Sequence, residues 1–144
     1  MGVMFAGENV AIRSAQGIND HRQLRLDIKR KGFPMAGANV HEFTDNNFQG
    51  EVLQAELPVL VDFWAPWCPP CRQIAPMIDQ LAAENLGSIK VGKVNLDECP
   101  TVSQEYGVES IPTLMVFKGG QVVSRYVGAQ PKSRMQTALD AAKA

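Results

Sequence analysis

Pro58-Val-Leu-Val-Asp-Phe-Trp64 runs directly into Ala65-Pro-Trp-Cys-Pro-Pro-Cys-Arg72. The first seven residues are almost continuously apolar, the pattern of a central strand covered on both faces. Beyond the prolines, Ile74, Met77, Ile78 and Leu81 recur at helical spacing. This predicts a helix over about 68–85, with Pro76 inside it as a kink. Two cysteines, Cys68 and Cys71, therefore sit where a buried strand hands over to a helix.

The flanking chain alternates in the same manner. Upstream, Val40 and Phe43 mark a short first strand. Thr44 or Asp45 can cap a helix reaching Gln54, with Phe48, Val52 and Leu53 on its buried side. Downstream, Ile89, Val91, Val94 and Leu96 predict a strand over 89–96, and a short helix follows over 100–106, ended by Gly107. Thr113-Leu-Met-Val-Phe117 is a buried strand, and Lys118-Gly-Gly-Gln121 turns the chain into another strand over 122–127. Pro131 opens a last amphipathic helix with Met135, Leu139 and Ala142 inward. The order is βαβαβαββα, an α/β domain with no internal repeat.

Composition limits what such a chain does. Of its 144 residues, 45% are hydrophobic and 20% charged, so disorder throughout is excluded. Three cysteines do not make a disulfide-dense secreted scaffold. No apolar run approaches 18 residues, so no membrane-spanning helix is expected. A net charge of −1 gives no global attraction to nucleic acid. The charge is uneven: residues 1–39 carry +3 and residues 40–144 carry −4. Residues 1–36 have weak periodicity, with one short helix expected over 19–31, and lack the apolar run of a signal peptide. Their arginines leave a transit peptide open, and Glu8, Asp20 and Asp27 count against it. They read as a basic, poorly ordered extension or as sequence upstream of a start at Met35, leaving 37–144 as the domain.

Cysteines at i and i+3 on a helix meet on one face at a separation that suits a disulfide. At a helix start, free N–H groups and the positive end of the dipole favour thiolate at Cys68. Cys71, one turn inside, is expected to be more buried. The pair can then attack a disulfide and resolve the mixed disulfide formed. A zinc site is the competing reading, but its further ligands would have to be Cys99, His21 and His41, which form no second pair. Asp62 is anomalous in so apolar a strand. Burying a lone carboxylate costs several kcal/mol or raises its pKa by up to ~3–5 units, which would suit a group that takes and returns a proton.

The stretch 61–72 resembles the active-site segment of the thioredoxin family. Ile74-Ala-Pro76 is similar to its kinked second helix, and Lys93-Val-Asn-Leu-Asp97 to its third strand. Ile111-Pro112-Thr113 resembles its cis-proline loop, and Val127-Gly128-Ala129 the loop beside the active site. The resemblance covers 38–144. It implies a central mixed five-stranded sheet flanked by four helices, with Cys68 as nucleophile and Cys71 as resolving cysteine. Asp62 would be the buried proton acceptor and donor beneath Cys71, with Lys93 facing it. Trp67, Ile111, Pro112 and Gly128 would form the substrate-binding face, and Trp64, Pro69 and Pro70 would tune the site. It further implies a cytoplasmic, monomeric protein disulfide reductase with no bound cofactor or metal. Electrons would come from NADPH through thioredoxin reductase and pass to disulfide-containing clients, with no role for nucleic acid or membrane.

One departure stands out. The family usually has glycine after its first cysteine; here Pro69 removes an N–H that could face the Cys68 sulfur and stiffens the loop. This keeps open a more oxidising oxidase or isomerase and a tryparedoxin-like exchanger. A redox-independent binding subunit using the Trp67 face is the non-enzymatic alternative. Cys99, before Pro100 at the start of a short helix, reads as an inert thiol or as one acidified by the helix terminus.

Overall fold

The computed structural model describes residues 37–144. The expected basic extension and the helix over 19–31 lie outside the described residues. Five strands form one sheet: β1 (Val40–Phe43), β2 (Val59–Trp64), β3 (Lys90–Asn95), β4 (Thr113–Lys118) and β5 (Gln121–Val127). Their order in the sheet is β1-β3-β2-β4-β5. β3 runs parallel to both β1 and β2, whereas β4 is antiparallel to β2 and β5. The helices are a π-helical turn (Gln49–Leu53), α1 (Pro69–Glu84), α2 (Pro100–Glu105) and α3 (Lys132–Lys143). This is the thioredoxin fold: a mixed five-stranded sheet with four helices.

The apolar run of β2 is central because both of its faces are covered. Alternation along a strand sends Val59, Val61 and Phe63 to one face and Leu60 and Asp62 to the other. The first set joins Phe43, Phe48, Val52, Val94, Val102, Met115 and Phe117 in one core layer. Leu60 joins Ile74, Ile78 and Leu81 of α1 and Met135 and Leu139 of α3 in a second. Asp62 thus lies on the sheet face that α1 covers. Gly92 of β3 makes room for the first layer: a Cβ there would fall 2.3 Å from Cε2 of Phe43.

The expected first helix is present and Thr44 caps it, but it is short and its body is π-helical. The chain turns at 45–47 and then forms the π-helical turn. Thr44 and Asn47 bond reciprocally, the Thr44 N–H donating to Asn47 Oδ1 (2.7 Å) and the Asn47 N–H to Thr44 Oγ1 (3.2 Å). Asp45 is drawn elsewhere: its carboxylate accepts from the Thr101 and Val102 N–H groups at 3.2 and 2.9 Å, capping α2. A bond from the Gln54 N–H to Gln49 O (3.0 Å) widens the last turn to i→i−5. Phe48 and Val52 are buried as expected, and Leu53 is half-buried.

Candidate active site

The end of β2, the loop 65–67 and the first turn of α1 build the site. Cys68 is the N-cap of α1, and Pro69 and Pro70 occupy its first two helical positions. Prolines there are preset to the helical φ, but neither offers an N–H. The Cys71 N–H is therefore the donor that reaches the Cys68 sulfur, at 3.3 Å. Cys68 and Cys71 are joined as a disulfide, with Cα atoms 5.3 Å apart. Ala65 shares a buried cluster with the two cysteines, and Trp64 and Ile111 pack against it. The expected contrast in burial between the cysteines is absent: Cys68 is 3% exposed and Cys71 2%. Packing by Ala65, Trp64 and Ile111 covers both sulfurs.

Trp67 stands out from this buried pair at 62% exposure. Its indole N–H donates to both carboxylate oxygens of Asp97 at 3.0 and 3.2 Å, which fixes the ring. Asp97 is a residue for which the sequence reading gave no role. An acid just past a strand carries no local signal of an indole partner thirty residues away. Arg72 is a second such residue, its Nη1 donating to Pro66 O at 2.7 Å.

The loop after α2 completes the rim. The Ile111–Pro112 bond is cis, as the resemblance implied. The Ile111 carbonyl lies 3.9 Å from the Cys68 sulfur. Gly128 adopts φ +93°, a left-handed conformation that disfavours other residues, and its N–H donates to Pro112 O at 2.7 Å. Pro112 is buried and Ile111 half-buried.

Asp62 is completely buried, and neither of its oxygens has a hydrogen-bond partner among the described residues. Burial pushes its carboxyl up to about 7, against a smaller opposing pull from Lys93. Lys93 pairs with Asp62 in the β2–β3 register and is 4% exposed, so it is no solvated strand lysine. Its ammonium sits 5.3 Å from the Trp64 ring centroid, within cation–π range.

Of the two readings of Cys99, the structure favours the inert thiol. It is a buried free thiol, and its pKa is raised, chiefly by burial and next by the Asp45 charge. The N-terminus of α2 does not acidify it because Asp45 already takes the N–H groups of Thr101 and Val102. Among the described residues no cluster of three His, Cys, Asp or Glu side chains is placed to hold a metal. No helix among them is long and apolar enough to cross a membrane.

A redox-active cysteine pair at the head of a helix, on this sheet topology, defines a protein that exchanges dithiol for disulfide. A sequence model of the thioredoxin family matches residues 39–141. The chain is 56% identical over 99 residues to thioredoxin 1 of a Nostoc species, an alignment covering 69% of this chain and 92% of that one. It is 52% identical over 102 residues to thioredoxin of Porphyra purpurea, covering 71% and 95%. It is 51% identical over 96 residues to a chloroplastic M-type thioredoxin of Zea mays, covering 67% and 58%. The chain belongs to the thioredoxin family. It is an enzyme, a thiol–disulfide oxidoreductase, and Cys68–Cys71 fits its dithiol–disulfide site.

Proposed function

We propose that the protein is a general protein disulfide reductase working through its Cys-Pro-Pro-Cys sequence. The observation that carries this reading is the Cys68–Cys71 pair at the head of α1 beside the exposed indole of Trp67. In the reduced protein, the Cys68 thiolate attacks one sulfur of a client disulfide. A mixed disulfide forms and the client's other sulfur leaves as thiolate. Cys71 then passes its proton to Asp62 and attacks the Cys68 sulfur. The Cys68–Cys71 bond forms, the client's second thiolate departs, and two electrons have moved to the client. A carboxyl that titrates at about 7 is matched to that proton transfer at neutral pH. Lys93 keeps it from rising further.

Clients dock on Trp67, Ile111, Pro112 and Gly128, where an extended peptide can pair with backbone. Trp64 packs behind the cysteines. Pro69 and Pro70 tune the site by withholding N–H donors. A less stabilised thiolate favours the disulfide form, which makes the protein a better electron donor. NADPH supplies the electrons through thioredoxin reductase, and no prosthetic group or metal takes part. The working form is a monomer in the cytoplasm, and residues 37–144 are the catalytic domain.

The equilibrium reduction potential of the pair, read against a dithiol buffer at neutral pH, tests this. A reductase gives a value near the reducing end of the known series, about −270 mV. A value near the oxidising end, about −120 mV, would make it an oxidase or isomerase and end the reductase reading.

A further inference from the structure

α2 is only six residues long, so the carbonyls of its last turn need partners from outside. Side chains from elsewhere in the chain hold it at both ends. Asp45 caps its first turn through the Thr101 and Val102 N–H groups. At the other end, the Arg125 guanidinium of β5 donates to Tyr106 O at 2.7 Å and to Gly107 O at 2.9 Å. A planar fork on two successive carbonyls fixes direction as well as distance. A cation there also meets the negative end of the helix dipole. Gly107 is left-handed, at φ +61°, and the chain leaves it for the loop 108–112 that carries Ile111 and Pro112. The far end of this loop is held by the Gly128 N–H on Pro112 O at 2.7 Å. Within it, the Thr113 hydroxyl donates to Ser110 O. Gly128 directly follows β5, so one strand grips the loop at both ends. The cysteine pair is held separately, at the head of α1.

We propose that Arg125 is a positioning residue for client docking: its fork on the Tyr106 and Gly107 carbonyls sets where the 108–112 loop presents Ile111 and Pro112 to an extended peptide. This rests on the reading of Ile111 and Pro112 as part of the client-docking face. The Gly128 anchor is backbone, so side-chain substitution leaves it in place. The Arg125 anchor is a side chain on the exposed surface, so it can be removed without opening the core. Its loss frees the start of the loop while the thiol chemistry at Cys68 keeps its own supports. The effect therefore falls on disulfides that dock through a peptide backbone, and much less on disulfides too small to use the loop.

The test compares two oxidants of the reduced full-length protein: a disulfide held in an extended peptide, and hydroxyethyl disulfide. Second-order rate constants are measured for the parent, Arg125→Met and Arg125→Lys. A hydrogen bond of ordinary net strength corresponds to about a two- to tenfold change in an equilibrium. Arg125→Met is expected to slow the peptide reaction about fivefold and the hydroxyethyl disulfide reaction by less than about twofold. Arg125→Lys, which keeps the charge but not the fork, should fall between parent and Arg125→Met on the peptide. Amide exchange at Val108, whose N–H bonds Ser103 O at 2.9 Å, should quicken in Arg125→Met. A parental peptide rate in Arg125→Met overturns the proposal. So does equal slowing with both disulfides, which would place the effect on the cysteines or on global stability. Should Arg125→Met fail to fold, Arg125→Lys reads the same contrast, and a parental peptide rate there overturns the fork. If the parent reduces neither disulfide, the reductase reading itself fails, whatever Arg125 does.

Discussion

Asp62→Asn should stabilise the oxidised protein by an amount that depends on pH. In the folded protein the Asp62 carboxyl titrates at about 7, against 3.8 when unburied. Below pH 3.8 both folded and unfolded chains carry it protonated, and its titration costs nothing. Between 3.8 and 7 the unfolded chain gives up the proton while the folded one retains it, so stability falls as pH rises. Above 7 the loss levels off. At about 1.36 kcal/mol per pH unit, that window amounts to on the order of 4 kcal/mol. Asparagine has nearly the same shape, is neutral at every pH, and leaves a buried polar group comparable to the protonated acid. Urea unfolding of both proteins from about pH 4 to about pH 9 is the assay. The two should be nearly equal in stability at about pH 4 and separated by on the order of 4 kcal/mol at about pH 9, with the Asp62→Asn protein the more stable. Parallel stability curves with a constant offset would refute the assignment of a buried, high-pKa carboxyl to this position.

Three other outcomes follow from the packing. Gly92→Ala places a Cβ 2.3 Å from Cε2 of Phe43 and should cost ~1–3 kcal/mol in denaturant unfolding, whereas Gly50→Ala, with nothing within 4 Å of the new Cβ, should cost little. Asp45→Ala removes the side-chain cap of α2 and should lower stability by ~1 kcal/mol, read from the urea midpoint. Cys99, 1% exposed and with its thiol pKa raised by burial, should resist iodoacetamide at about pH 8 in the native protein and react once it is unfolded, as counted by intact mass.

Much of this molecule is legible in its sequence because its two central strands are apolar runs bounded by prolines and glycines. Val59–Trp64 and Thr113–Lys118 announce themselves in that way. The hairpin at Gly119 and Gly120, both left-handed, is equally plain. Asp62 is legible because a carboxylate in such a run has no bland explanation. The first helix is legible in its Thr44 cap and in its buried Phe48 and Val52, and only the choice between Thr44 and Asp45 depends on a distant contact. Asp45 is a good N-cap by local rules, but its carboxylate is taken by N–H groups 56 and 57 residues away. The same contact removes the helix-terminus field that would have acidified Cys99. The near-equal burial of Cys68 and Cys71 was hidden for a similar reason, since it is set by Ile111 arriving from another loop. Lys93 could not be placed by pattern alone, because only the register beside Asp62 and the Trp64 ring give its ammonium a buried setting.

The most direct test of exchange through Cys68 is a trapping measurement. Cys71→Ser protein, reduced and mixed with a disulfide-bonded peptide, is quenched and its adduct mapped by mass spectrometry. Attack by Cys68 with resolution by Cys71 predicts a long-lived mixed disulfide on Cys68, and no turnover from Cys68→Ser protein. An adduct on Cys99, or full disulfide-reducing turnover by Cys68→Ser protein, would contradict it.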